Sequence, residues 1–178
     1  YSLTTGAYNV TSGYQAGYGL TAGSYNLCLG WQAGDSITSA NYNICLGGKA
    51  GAGVVAGANN VLVGHESAKT YNFSNVTAVG FQAGELNQGS DNVFVGYKAG
   101  RSETASNKLH IANNSTESLI EGDFSAKTVN INGALTVNGA AVGGAMELIS
   151  TQTITSAVAS VEVDRNFKDE SYLGYKLV

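Results

Sequence analysis

Short apolar runs alternate with longer polar stretches at a nearly constant interval over the first hundred residues. Each run has the form Asn-apolar-x-apolar-Gly and is followed by a glycine-containing corner, as in Asn26-Leu27-Cys28-Leu29-Gly30 and Asn43-Ile44-Cys45-Leu46-Gly47. The central glycines are separated by 17, 17, 17, 16 and 16 residues; they are Gly13, Gly30, Gly47, Gly64, Gly80 and Gly96. Self-similarity at a fixed period is typical of stacked repeat architectures.

The apolar runs predict short β-strands, because they are brief, rich in Val, Ile and Leu, and bounded by turn residues. The rest of each period, for example residues 35–40, is polar and turn-like. One period therefore predicts one coil of a β-solenoid, with equivalent strands parallel and about 4.8 Å apart. The chain has no Pro, which fits, since Pro would interrupt the ladder of every coil that contained it.

Two columns of residues are predicted to be structural. The first is an asparagine column four residues before the central glycine, occupied by Asn9, Asn26, Asn43, Asn60 and Asn92, with Val76 as the exception. Stacked Asn side chains can bond along such a column and fix the turn into the strand. The second is the column of central glycines itself.

Both faces of the predicted strands are mostly apolar. Leu27 and Leu29 point to one face, and the residue between them, Cys28, points to the other. A strand with one solvated face should alternate apolar and polar residues. One face can fill the interior of the coil, so the other requires a cover. We expect like chains to provide it in a homo-oligomer, most simply a trimer about an axis parallel to the stack.

A third column follows the central glycine and is largely aromatic; it holds Tyr14, Trp31, Gly48, His65, Phe81 and Tyr97. It has two interpretations: platforms for sugar rings, with Tyr14, Trp31 and Tyr97 as the glycan contacts, or a ladder that packs coil on coil.

Beyond the repeats the pattern changes twice. We predict a solenoid shaft over residues 1–106, a β-connector over 107–145 and the beginning of a β-sandwich-like terminal domain over 146–178, whose segments alternate like antiparallel strands. The last run, residues 172–178, is apolar with no closing turn, so we expect this domain to be truncated.

Charged residues are concentrated in the second half of the chain. Only Asp35, Lys49, Glu66 and Lys69 precede Glu85, and the net charge is -4. The absence of a Lys/Arg cluster argues against nucleic-acid binding, and no apolar run is long enough for a membrane-spanning helix.

The recurring Asn-x-x-x-Gly-aromatic-x-Ala-Gly units, together with the segments 107–113, 118–125 and 129–139, resemble the glycine-rich repeats of bacteriophage tail fibres. Less closely, they are similar to the head repeats of trimeric autotransporter adhesins, although the heptad stalk of those adhesins is missing. The resemblance implies an elongated, trimeric β-structure that carries or forms a host-recognition element.

Candidate chemistry is sparse. Gly17-Tyr18-Gly19-Leu20-Thr21-Ala22 matches a dinucleotide fingerprint, but no strand and helix flank it, so no cofactor is expected. Cys28 and Cys45 are predicted to lie on adjacent coils as buried free thiols. His65 and His110 have no neighbouring ligand in the sequence, so no metal is expected. Glu121 and Asp123 have the spacing of a glycosidase pair. No Ser/His/Asp set that would indicate nucleophilic catalysis stands out in the sequence.

Taken together, these patterns predict a non-catalytic structural and host-recognition component of a phage tail fibre or related appendage, located in the virion tail and extracellular. Its expected partners are two like chains, other tail proteins and a host glycan or protein. A bacterial trimeric surface adhesin and a polysaccharide-cleaving tailspike are the alternatives.

Overall fold

A computed structural model of the 178-residue chain describes residues 5–137 and 140–141. They belong to the first of two units into which the chain divides, Tyr1–Val142 and Gly143–Val178. The predicted terminal domain from residue 146 therefore lies outside the described residues. Its extent, like the other predicted domain boundaries, stays a prediction.

The described residues contain eleven short strands and no helix, which confirms the all-β prediction. Nine strands form one sheet in chain order, and two form a separate pair. The strands are β1 Val10–Ser12, β2 Leu27–Leu29, β3 Ile44–Leu46, β4 Val61–Val63, β5 Thr77–Val79, β6 Val93–Val95, β7 Lys108–Ile111, β8 Ile120–Asp123, β9 Thr128–Ile131, β10 Thr136–Val137 and β11 Ala140–Ala141.

Strands β1 to β7 pair parallel and in register, so each coil lies directly on the one before it. Cys28 is opposite Cys45, and Ile44 is opposite Val61. The ladder extends through the corners as well, for example from the Gly34 N–H to the Ala50 carbonyl at 2.9 Å. The predicted β-solenoid is confirmed, with strands of three residues in the six coils.

The ladder does not stop at the sixth coil. Strand β7 pairs parallel with β6, and Phe94 is opposite His110. Each of the next two strands runs opposite to the strand before it, since β8 pairs antiparallel with β7 and β9 pairs antiparallel with β8. The stack therefore ends in an antiparallel hairpin that belongs to the same sheet.

The interior of each coil is filled from two sides. The middle residue of each strand from β2 to β6 is buried; these residues are Cys28, Cys45, Leu62, Ala78 and Phe94. Facing them are buried small and branched residues from the corners; these are Ala16, Leu20, Ala33, Ile37, Ala50, Val54, Ala83 and Ala99. Burial of this apolar surface is the main stabilising term of the stack.

The central glycines allow the corners of adjacent coils to approach closely. Gly47 has a φ of 128°, which L-residues rarely adopt, and an added Cβ would lie 2.7 Å from the carbonyl carbon and oxygen of Gly64. Only glycine satisfies both conditions at this corner. The neighbouring Gly48 has no such φ, and an added Cβ would lie 3.1 Å from the imidazole Cδ2 of His65.

Candidate binding surfaces and polar clusters

The outward face of the coil strands is an apolar strip. It consists of the first and third residues of strands β1 to β6, of which only Ser12 and Thr77 are polar, and of Leu109 and Ile111 in β7. It spans six strand spacings, or about 29 Å. Its exposed members are Val10, Leu29, Val61, Val79, Val95 and Ile111. The middle strand residues fill the interior of the coil. The strip is therefore the second apolar face of the strands, the one that we expected to require a covering partner. Val10 is 56% exposed and Val95 is 39% exposed.

The aromatic column after the central glycine is broken in two by Gly48. In the later coils, His65 stacks on Phe81 with ring centroids 5.6 Å apart, and Phe81 stacks on Tyr97 at 5.5 Å. In the earlier coils, the Lys49 ammonium lies 4.7 Å from the centroid of the Trp31 ring. Stacked rings cover each other's faces, and a sugar platform requires a free face.

The structure places the three predicted glycan contacts at the surface. Tyr14 is 69% exposed, Tyr97 is 47% exposed, and Trp31 is 46% exposed. Lys98 lies over the Tyr97 ring at 4.9 Å, so Tyr97 has Phe81 and an ammonium against it. These contacts leave the edges of Trp31 and Tyr97 accessible, and glycan binding by the three residues stays a prediction.

A second aromatic column, which the sequence analysis missed, precedes the asparagine column by one residue. Tyr8 stacks on Tyr25 with centroids 4.8 Å apart, and Tyr25 stacks on Tyr42 at 5.1 Å. All three have a φ near 60°. The same position in later coils carries Asn59, Asn75, Asp91 and Asn107, also with positive φ. Asn and Asp tolerate this conformation best, so their recurrence was the signal for a left-handed position.

The asparagine column lies inside the stack. The Asn43 Nδ2 donates to Asn26 Oδ1 at 3.0 Å, and Asn60 Nδ2 donates to Asn43 Oδ1 at 2.8 Å. Asn43 Nδ2 also donates to the Gly57 carbonyl across the coil at 3.0 Å. Val76, the exception, gives only its backbone N–H to Asn60. These contacts tie successive coils together from within.

The two cysteines are free, buried and opposite each other in adjacent coils, which agrees with their predicted placement. The hydrogen bond with Cys28 and burial raise the pKa of the Cys45 thiol well above its ordinary value. Neither thiol is accessible to solvent, since both are 0% exposed. Buried thiols of this kind are inert packing groups.

The two acidic residues of β8, Glu121 and Asp123, have different neighbours. Asp123 binds Lys108 Nζ at 2.6 Å and accepts hydrogen bonds from Ser125 and Ala126. These contacts, with that of Lys108 the largest, hold the pKa of Asp123 far below its usual range. A carboxylate this acidic holds no proton to donate, so Asp123 is unsuited to be the acid of a glycosidase. Glu121 lies opposite His110 on β7.

A polar cluster that the sequence analysis missed lies at the last coil. His110 Nδ1 is 2.8 Å from Ser118 Oγ, and His110 Nε2 is 2.9 Å from Glu103 Oε2. The other oxygen of Glu103 accepts the N–H groups of Thr104 and Ala105, both at 2.8 Å. Burial alone would raise the pKa of Glu103, but the hydrogen bonds from Ala105, His110 and Thr104 lower it.

The alignment of the repeats could have indicated this cluster, because it places His110 and Glu103 at interior positions of the coil. His110 is opposite Phe94 and occupies the buried column of middle strand residues. Glu103 follows Gly96 by seven residues, the position that Leu20 and Ile37 hold in earlier coils. The last coil thus carries an acid and an imidazole in two columns whose earlier members are uncharged, with Asn87 before Glu103 in one column and Phe94 before His110 in the other. Within the described residues, no group of three His, Cys, Asp or Glu side chains is arranged to hold a metal ion.

Comparisons with known proteins do not assign the chain to a family. The chain matches no protein-family model, no curated protein and no solved structure. Among the described residues there is no helix with the length and apolar character needed to cross a membrane.

Proposed function

We propose that the chain is a shaft segment of an elongated, homotrimeric receptor-binding appendage of the phage tail-fibre type, located in the virion tail. The apolar strip carries this proposal. Single exposed apolar residues are normal on soluble proteins, but a continuous strip of this length marks an interaction surface.

A second and third copy of this chain are the cover that fits the strip best. The strip carries no charged residue from β1 to β6, so it offers no charge pattern by which a dissimilar partner would be selected. The strip also repeats with the coil period, and a parallel copy presents the same period. Three copies around an axis parallel to the stack bury all three strips without leaving an unpaired one.

The role in host recognition rests on the resemblance and on multivalency. A rigid stack projects three equivalent surfaces, and weak sites that engage together reach an avidity well above each affinity. Tyr14, Trp31 and Tyr97 are the proposed glycan contacts in this arrangement. A bacterial trimeric surface adhesin would use the same assembly, so it remains the alternative.

The experiment is the molar mass of the full chain in solution by light scattering. We expect the mass of three chains. Val95→Lys places a charge in the strip and should shift the mass to one chain, since an unpaired buried charge is strongly unfavourable. Val55→Lys is the matched control, because Val55 is 44% exposed but outside the strip; it should leave the trimer intact. A single-chain mass for the unaltered protein would overturn the proposal.

A further inference from the structure

The Glu103–His110–Ser118 cluster has the connectivity of a nucleophile, its base and an orienting carboxylate. The carboxylate of Glu103 is an acceptor only, so the His110 Nε2 that faces it at 2.9 Å carries the proton. The Nδ1 of the neutral ring is then the acceptor for the Ser118 hydroxyl at 2.8 Å. This is the arrangement that activates a serine hydroxyl.

Each member of the cluster is held in place by a further contact. The Glu103 carboxylate is fixed by two backbone N–H groups, as described above. The His110 ring packs against Phe94 with centroids 5.7 Å apart. Asn132 from the end of β9 donates to the Ser118 carbonyl at 2.9 Å. Such fixed positions are what distinguish a preorganised site from a surface contact.

The cluster opens onto a cleft of about 200 Å³. All three residues line it, and so do Arg101 and Asn114, whose side chains carry N–H donors of the kind that an oxyanion requires. The Arg101 Nε donates to Glu85 Oε2 at 2.7 Å, which leaves its terminal N–H groups for a ligand. Glu117 and Glu121 also line the cleft. Because acidic groups outnumber Arg101 there, an anionic substrate is disfavoured and an uncharged one is accepted.

We propose that Ser118 is a nucleophile activated by His110 and oriented through Glu103, and that the cleft hydrolyses small uncharged esters. This activity goes beyond the structural role proposed above and revises the expectation of a non-catalytic chain.

The reaction balances with the residues present. Ser118 Oγ attacks the ester carbonyl carbon while its proton passes to His110 Nδ1. The C–O bond of the leaving group breaks, and the alcohol departs with that proton, leaving an acyl-serine. Water then attacks the acyl carbon and gives a proton to His110. The carboxylic acid is released, and the proton returns to Ser118.

A fluorophosphonate probe applied to the full chain, followed by peptide mass spectrometry, tests the proposal. Ser118 Oγ would displace fluoride and form an O–P bond that is located by its mass. We expect an adduct on Ser118 that is lost in Ser118→Ala and forms at least ~100-fold more slowly in His110→Asn, the usual contribution of a general base. Ser125→Ala removes an exposed serine of the hairpin that does not line the cleft and should leave labelling unchanged.

Hydrolysis of p-nitrophenyl acetate by the same variants gives the second readout, and melting temperatures show whether each variant is folded. No Ser118 adduct on the folded, unaltered protein would overturn the proposal. Equal labelling of the unaltered protein and a folded His110→Asn variant would also overturn it. A His110→Asn variant that melts earlier, in a protein that takes up no probe, would show that the cluster only stabilises the end of the stack. The mass of the assembly is measured separately, so failure here leaves the trimer proposal unaffected.

Discussion

The coil stack and the terminal hairpin belong to one sheet but are stabilised differently. In the stack, the middle residues of the strands, such as Cys45 and Leu62, are 0% exposed. In the hairpin, all four residues of β9 are exposed and all four of β8 are partly exposed. A coil encloses its own interior, whereas the hairpin is a single layer with nothing enclosed.

Polar groups follow the same division. The stack joins coil to coil through buried uncharged amides, as between Asn43 and Asn60, and in its later coils also through the ion pairs of the buried Glu85 with Lys69 and Arg101. The hairpin is joined to β7 by the Lys108–Asp123 ion pair, which is partly exposed. Buried amides are costly to leave unpaired, while exposed ion pairs contribute little. Changes within the stack should therefore have larger effects than changes in the hairpin.

The largest effect is expected from Gly47→Ala. The new Cβ would lie 2.7 Å from the Gly64 backbone at a φ of 128°, and a backbone contact cannot yield as a side chain can. Strain and displacement together should lower the free energy of unfolding by about 3 kcal/mol or more, measured by denaturant titration. Gly48→Ala is the control, since its nearest neighbour is the His65 ring. Equal losses for the two variants would contradict the close-approach explanation.

These contrasts also explain how far the sequence predicts this fold. The period, the buried asparagine column and the parallel stack could be predicted from the sequence. Each of them depends on one residue type that recurs at the same position of every repeat. The Tyr8, Tyr25 and Tyr42 column was missed because Tyr gives no sign of a positive φ. The Ser118–His110–Glu103 cluster was missed because Ser118 lies just before β8, beyond the last repeat. The reversal of strand direction that brings it beside His110 is not encoded in the repeat pattern.

A smaller effect of opposite sign is expected in the fourth coil. Ser67 occupies the buried column that Ala50 and Ala83 hold in neighbouring coils. Among the described residues, its Oγ is buried without a hydrogen-bond partner. Ser67→Ala removes an unsatisfied hydroxyl and should raise the free energy of unfolding by about 1 kcal/mol.

The reverse change, Ala50→Ser, is the matched test of the same idea. It introduces a hydroxyl into the equivalent buried position one coil earlier and should lower the free energy of unfolding by a similar amount. Thermal melts of both variants beside the unaltered protein provide the measurement. A loss of stability in Ser67→Ala would show that the Ser67 hydroxyl has a partner and would refute the prediction.

The smallest effect is expected in the hairpin and depends on pH. Contacts with Lys108 and then Ser125 hold the pKa of Asp123 below its ordinary value of 3.8. A carboxyl group whose pKa is lowered by folding stabilises the fold above the unfolded pKa, and this contribution is lost as the pH falls towards the folded pKa. Amide exchange in β8 and β9 should therefore rise below about pH 4 relative to β2 to β5.

Asp123→Asn isolates the charge from the turn, because the amide oxygen can still accept the N–H groups of Ser125 and Ala126. The variant should show slightly faster exchange in the hairpin at neutral pH, with unchanged exchange in β2 to β5. It should also lose most of the acid-dependent rise in β8 and β9. Exchange that increases equally in both regions would mean that the hairpin opens only when the stack does, and the two regions would then form one cooperative unit.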